Sequence, residues 1–296
     1  MEIFYGIENK YVNVTAICLS KLNCDNIITI PAGDHARAIH FIDHLVDIPK
    51  NITILHNHQL ITYDASYTIK INLLNNTITA NLSNEGINKK LRTLQSKLNL
   101  KYGTFMDELP EQKMAVRYLT GKEKVLELGA NIGRNSLIIA SILENSKNLV
   151  CLECAPHIAN QLTENRDNNH LQFHIDRSAL SKRKLIQKGW CTIPSDTLLD
   201  GYKWVNTITL DELHAKYNIM FDTLILDCEG AFYFILDDMP EILDNITLII
   251  MENDYTDIRH KEQIDKILTK NNFYNDYREA GGWKPCYDCF FEVWKR

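Results

Sequence analysis

The sequence predicts an α/β protein: a mostly parallel sheet covered by helices on both faces, preceded by a small β-rich module. Two observations carry this. After Gly121, apolar runs of strand length alternate with amphipathic stretches of helix length, the rhythm of a parallel sheet with helical crossovers. Before Asn84 the chain instead holds short β-branched runs separated by Asn, Asp, Gly and Pro, the punctuation of strands joined by turns.

A chain of 296 residues suits one large domain with a small companion. Hydrophobic residues at 45% and charged residues at 24% are globular values, which excludes extended disorder. No apolar run reaches the ~20 residues that span a bilayer, so no membrane partner is expected. Met1 to Gly6 lacks the basic segment and apolar core of a secretory signal. A net charge of −6 argues against a broad nucleic-acid-binding face. Eight cysteines without a signal are expected as reduced thiols in the cytoplasm.

Residues 1–85 carry candidate strands at 11–17, 26–30, 52–55, 68–74 and 77–80, with one helix-like piece at 34–45. No role is legible in this module. The principal domain spans 86–296, and residues 86–120 form its helical lead-in. Leu91, Leu94, Leu98 and Leu100 recur at helical spacing, and a second helix is expected from Pro110, suited to a first turn, to Leu119. Candidate strands follow at 124–128, 149–153, 171–175, 205–208, 223–227 and 246–252, with helices at 134–144, 156–168, 210–217, 232–236 and 258–270. Thr209, with Glu212 three positions on, makes a capping box for the third of these helices. Residues 273–277 and 289–294 form two further strands.

The chemistry is concentrated in Val125-Leu126-Glu127-Leu128-Gly129-Ala130-Asn131-Ile132-Gly133-Arg134-Asn135-Ser136. A buried strand runs through a glycine-rich turn into a helix, at the carboxyl edge where open α/β sheets bind ligands. A dinucleotide pyrophosphate would want Gly-x-Gly-x-x-Gly, but Asn131 and Arg134 occupy the second and third glycine positions. Glu127 beside the loop would also repel a pyrophosphate. The same acid suits S-adenosylmethionine, which carries an ammonium and a sulfonium. Glu153 ends the next strand, 24 positions after Gly129, where an acid accepts hydrogen bonds from both ribose hydroxyls of an adenosine. Asp176 and Ser178-Ala179-Leu180-Ser181 follow the third strand, where adenine would be held by a side-chain acceptor and backbone amides.

These segments, with Thr207-Ile208-Thr209-Leu210-Asp211-Glu212-Leu213 and Leu226-Asp227-Cys228-Glu229-Gly230-Ala231, resemble FkbM-type methyltransferases over about Gly121 to Arg296. With Trp190, Trp204 and Phe290-Phe291-Glu292-Val293-Trp294, the wording is most similar to versions from large DNA viruses. The resemblance implies a Rossmann-like seven-stranded class I methyltransferase sheet with the last strand antiparallel, S-adenosylmethionine as cofactor, and methylation of sugar hydroxyls. By position it implies Gly129, Ala130, Asn131, Gly133, Asn135 and Ser136 on the methionine side of the pocket, beside Glu127. Glu153 would then hold the ribose, and Asp176 with Ala179 the adenine. Family members often carry a further acid two places after the Glu-Gly pair, where this chain has Phe232; a metal site built on that acid is not expected.

A sugar hydroxyl needs its proton removed or polarised before it attacks a methyl group. Asp227 and Glu229 end a central strand and Glu252 reaches the same edge one strand over; these three are the candidate bases. The alternative gives Asp227 the cofactor ammonium and makes Glu229 a helix cap. Cys151-x-x-Cys154 and Cys286-x-x-Cys289 mimic zinc spacing, but residues three apart on a strand face opposite ways, so no metal is expected. Cys228 is expected to face the core. The basic run Arg177, Lys182, Arg183, Lys184, Lys188 is a solvated loop or the seat of an acidic acceptor such as a nucleotide-sugar.

The sequence therefore points to an S-adenosylmethionine-dependent O-methyltransferase acting on a small-molecule or glycan acceptor, cytoplasmic (the host's cytoplasm if viral). RNA or protein methylation and a non-catalytic scaffold are the alternatives, and self-association is left open. Intact Glu127, Gly129, Gly133 and Glu153 argue against a decayed pocket.

Overall fold

The computed structural model describes every residue, Met1–Arg296. The chain forms two compact units, Met1–Arg92 and Thr93–Arg296, the division falling inside a helix, Asn84–Gln95. No helix is long and apolar enough to cross a membrane, and all eight cysteines are free thiols.

The first unit is built on two four-stranded antiparallel sheets. In spatial order these are Lys10–Asn13, Glu2–Ile7, Asn51–His56 and Gln59–Tyr63, then Asn23–Cys24, Ile27–Ile30, Tyr67–Asn72 and Thr77–Leu82. Alternation sets the core: Ile3 and Tyr5, Ile28 and Ile30, Ile52 and Ile54, Ile69 and Ile71 are buried, each pair two positions apart and so on one face. The expected strand at 11–17 is split, ending at Asn13 before a helix Thr15–Lys21. Glu2–Ile7 escaped notice because Gly6 interrupts it; a Cβ on Gly6 would stand 2.1 Å from the Lys10 carbonyl, so the hairpin needs the glycine. The helix expected at 34–45 stops at Phe41. Ile42 follows in the left-handed region, φ +63°, where a β-branched side chain is strained. The segment beyond is tied down by Lys50, whose buried Nζ meets Asp34 at 3.0 Å and Asp43 at 2.8 Å as well as the carbonyls of Leu45 and Ile48.

The second unit holds a seven-stranded sheet. Its strands are β1 (Val125–Leu128), β2 (Leu149–Leu152), β3 (His174–Asp176), β4 (Thr223–Leu226), β5 (Leu248–Glu252), β6 (Tyr274–Glu279) and β7 (Phe291–Lys295). They lie in the order β3-β2-β1-β4-β5-β7-β6. β1 to β5 are mutually parallel, while β7 runs antiparallel to both neighbours. This is the Rossmann-like arrangement that the resemblance implied. Every residue of β1, β2 and β4 is buried, so these strands read as largely apolar runs, broken by Glu127 in β1 and by Thr223 at the start of β4.

Helices α1 (Leu109–Tyr118), α2 (Arg134–Ile142), α3 (Pro156–Asn168), α4 (Leu210–Tyr217), α5 (Phe232–Asp238) and α6 (Ile258–Lys270) accompany the sheet. Pro110 sits in the first turn of α1, and both bonds of the Thr209–Glu212 capping box are made. Leu98 and Leu100 lie past the end of the preceding helix and pack as loop residues on the core.

The expected strand at 205–208 does not join the sheet. Lys203–Val205 pairs with Leu185–Lys188, which also pairs with Cys191–Pro194, in a separate three-stranded sheet. Thr207–Ile208 pairs instead with Ala179–Leu180. The Asn206 carbonyl accepts from the Ala179 amide, so the chain here pairs with the segment beyond β3 rather than with the main sheet. On the far side, buried Glu292 of β7 gathers Lys261 of α6 and Arg278 of β6, each at 2.9 Å, with Asn253 and Trp294 at 3.1 Å.

Candidate functional site

The loop after β1 is shaped first by its neighbours. Gly129 has φ +85°, and a Cβ there would stand 1.6 Å from the Asp227 carbonyl, so the chain leaving β4 demands glycine before any ligand does. Gly133 opens α2 at φ +91°, where a Cβ would meet Leu162 of α3 at 2.4 Å. Asn131 sits between them in the left-handed region. Its amide donates to Glu153 Oε2 at 3.0 Å, and the Ala155 amide donates to Glu153 Oε1 at 2.8 Å. The loop and the end of β2 are thereby held to one carboxylate.

A cleft of ≈ 890 Å³, open at its mouth, lies along the carboxyl ends of β1, β2 and β4. Of the expected cofactor residues, Gly129, Asn131, Glu153 and Ala179 line it, as do Asp227 and Glu229. Behind Gly129 and Asp227, which border both spaces, lies a small chamber with room for about one water-sized group, lined by Glu127, Ala130, Asn135 and Glu252. Gly133 and Ser136 line neither space. Gly133 serves the turn, while Ser136 Oγ donates to Glu127 Oε2 at 2.5 Å, an oxygen that also accepts from Cys151 Sγ at 2.9 Å. Cys151 is thus spent on Glu127. Cys228, expected in the core, borders the cleft.

Two of the expected residues stand outside the cleft lining. Asp176 does not present its carboxylate to the cleft: Ser178 donates to one oxygen at 2.6 Å, and Lys216 and Tyr217 of α4 donate to the other at 2.8 and 2.9 Å. Burial alone would raise its pKa, but these bonds outweigh burial and hold it below the usual carboxylate range. Glu252 faces the rear chamber rather than the cleft. Burial, a hydrogen bond to Glu111 and the nearby Asp227 push its carboxyl up to about 11.

Other acids behave similarly in smaller degree. Burial pushes Glu127 up to about 7 against the bonds from Cys151 and Ser136. Burial and a hydrogen bond to Asp254 push Glu229 up to about 8. Asp227 is raised well above its ordinary value by burial, then by the charges of Glu108, Glu111, Glu229 and Asp254. Glu229 stands in the left-handed region, φ +53°, which turns its side chain out of the strand line beside Asp227.

Sequence reasoning missed Glu108 and Glu111. They flank the start of α1, outside any strand-edge pattern, and line the chamber. Arg134 reaches Glu108 at 2.7 Å and Asp107 at 3.3 Å. Glu111 Oε2 and Asn135 Oδ1 are buried with no hydrogen-bond partner, two unspent acceptors bordering one small space. Their needs are met by a donor, and among so many carboxyls a cationic one is favoured. The basic run is partly consumed in ion pairs: Arg183 binds Asp237 and Asp238, and Lys182 binds Glu241.

No family model matches the sequence, and no curated protein matches it. Among solved structures the chain is similar to an O-methyltransferase of Bacillus cereus in complex with SAH (14% identity, TM-score 0.41, covering 72% of this chain and 92% of that one). It is similar to ribosomal protein L11 methylase of Lactobacillus delbrueckii subsp. bulgaricus (12%, 0.41, 67% and 80%). A third is fibrillarin of Aeropyrum pernix in complex with S-adenosyl-L-methionine (10%, 0.39, 77% and 93%). The likeness is too distant to carry function, which rests on the cleft itself.

Proposed function

We propose that the second unit is an S-adenosylmethionine-dependent methyltransferase that methylates a hydroxyl of a sugar or glycan. The observation that carries this is the pairing of spaces at the β1 edge: a cleft lined by an oriented carboxylate and two candidate bases, backed by an acid-rich chamber with unspent acceptors. The residues present fit the cofactor. Glu153 is fixed by two backbone amides and keeps lone pairs for ribose hydroxyls, the turn at Gly129–Asn131 borders the methionine side, and the chamber suits an ammonium. Bound there, the cofactor would supply an electrophilic methyl group on a sulfonium.

Asp227 and Glu229 line the cleft and are the groups placed to take the hydroxyl proton, whereas Glu252 lines the chamber behind it. A base works best with a pKa near the working pH, and Glu229 at about 8 is close to it; a neighbouring cation lowers that value further toward neutrality. Holding the acceptor oxygen at ~3–3.5 Å from the methyl carbon supplies much of the remaining rate. The acids along the cleft weigh against the polyanionic backbone of RNA. The resemblance to FkbM-type methyltransferases supports the sugar hydroxyl.

The test is calorimetry with S-adenosylhomocysteine, followed by a methyl-transfer screen over nucleotide-sugars and free deoxysugars. Micromolar-range binding is expected, lost in Gly129→Ala. Asp227→Asn and Glu229→Gln should bind the product within a few-fold of wild type, with at least one losing about 100-fold or more in turnover. No heat with the unaltered protein would remove the cofactor assignment; unchanged turnover in both variants would remove the base.

A further inference from the structure

With Asp176 engaged by α4, the end of the cleft beyond Glu153 lacks the side chain expected to grip a base, and the inserted three-stranded sheet stands over that end. Its register pairs Leu185 with Pro194 and Gln187 with Thr192, and residues directly opposite across strands share a face. Leu185, Gln187 and Thr192 all line the cleft, so this face is its roof. Gln187 Nε2 donates to Cys154 Sγ at 3.5 Å, which ties the roof to the residue immediately after Glu153.

At the turn, Gly189 takes φ +60° with nothing within 4 Å of the place a Cβ would occupy. The next residue, Trp190, lines the cleft yet keeps 58% of its surface exposed. An indole held at a hairpin tip beside a cleft, and more than half uncovered, offers a large flat apolar face to whatever enters. Ala179 and buried Leu180 line the same cleft. A ribose on Glu153 would carry its base by one glycosidic bond into this space.

Resting on the cofactor assignment above, we infer that the inserted sheet is a nucleoside clamp in which Trp190 stacks on the purine of the adenosyl group. The indole supplies the hold on the base that Asp176 does not. Stacking is tolerant of geometry and needs no side-chain acceptor for the amino group of adenine, so the pocket keeps its grip with Asp176 committed elsewhere.

The intact protein is titrated with S-adenosylhomocysteine and, separately, with adenosine, reading calorimetry and tryptophan emission. Binding should change the emission of wild type. Trp190→Ala should weaken both ligands by about tenfold, a mid-range value for one stacked base. The factor should be alike for the two, because adenosine lacks the methionine end. Trp190→Phe should keep most of the affinity while losing most of the emission change, and this variant settles the matter if the alanine form does not fold. Equal affinity in Trp190→Ala, or an undiminished emission change in Trp190→Phe, overturns the clamp while leaving the cofactor assignment standing. Absence of binding to wild type overturns both.

Discussion

Glu229 keeps a proton at neutral pH because burial and Asp254 both oppose its charge. The sign of the consequence follows from its two values. In the unfolded chain the carboxyl titrates near 4.5, and in the folded protein near 8, so between these values the native state binds a proton that the unfolded state has released. Stability from this group therefore falls as pH rises from about 4.5 to about 8. Glu229→Gln should flatten that part of the stability curve, measured by urea unfolding at several pH values across the window; an unchanged slope would refute the assignment. The same proton must leave when a cation binds beside it. S-adenosylmethionine affinity is expected to rise with pH below about 8, by as much as about tenfold per unit for a single linked proton, and Glu229→Gln should lose that dependence.

At the level of elements, the site is held from both sides of the sheet. α1 brings Glu108 and Glu111 to the chamber, and β7 steadies the end of β5 through Glu292 and Asn253. Glu292→Ala leaves Lys261 and Arg278 facing a gap at a wholly buried position. Removing one partner of a buried charge cluster costs roughly 3–5 kcal/mol, a loss to be read by chemical denaturation; a loss below about 1 kcal/mol would mean that the cluster is dispensable. β2 and β5 are the most legible strands, because burial on both faces leaves a nearly uninterrupted apolar signature, and β1 shares it apart from Glu127. The capping box of α4 was equally visible, being local. The roof at 185–205 was not, since its strands are short, mix Lys, Gln, Thr and Trp with apolar residues, and acquire a direction only by covering the cleft. The fate of Asp176 was likewise hidden: its partners arrive from α4, some forty positions away, and no spacing rule anticipates a contact made by the fold.

For the whole molecule, two compact units with separate cores predict two calorimetric transitions. Lys50→Ala leaves Asp34 and Asp43 without their shared cation and should lower the transition of the first unit by more than about 10 °C, given a cost near 3 kcal/mol in a module of that size. S-adenosylhomocysteine should raise only the other transition. A single transition moved by both changes would show that the units melt together.

The place of β7 between β5 and β6 has a consequence during synthesis. A chain folded as far as β6 without β7 would show two unpaired edges along the same flank, at β5 and at β6, the kind of edge that templates pairing with other chains.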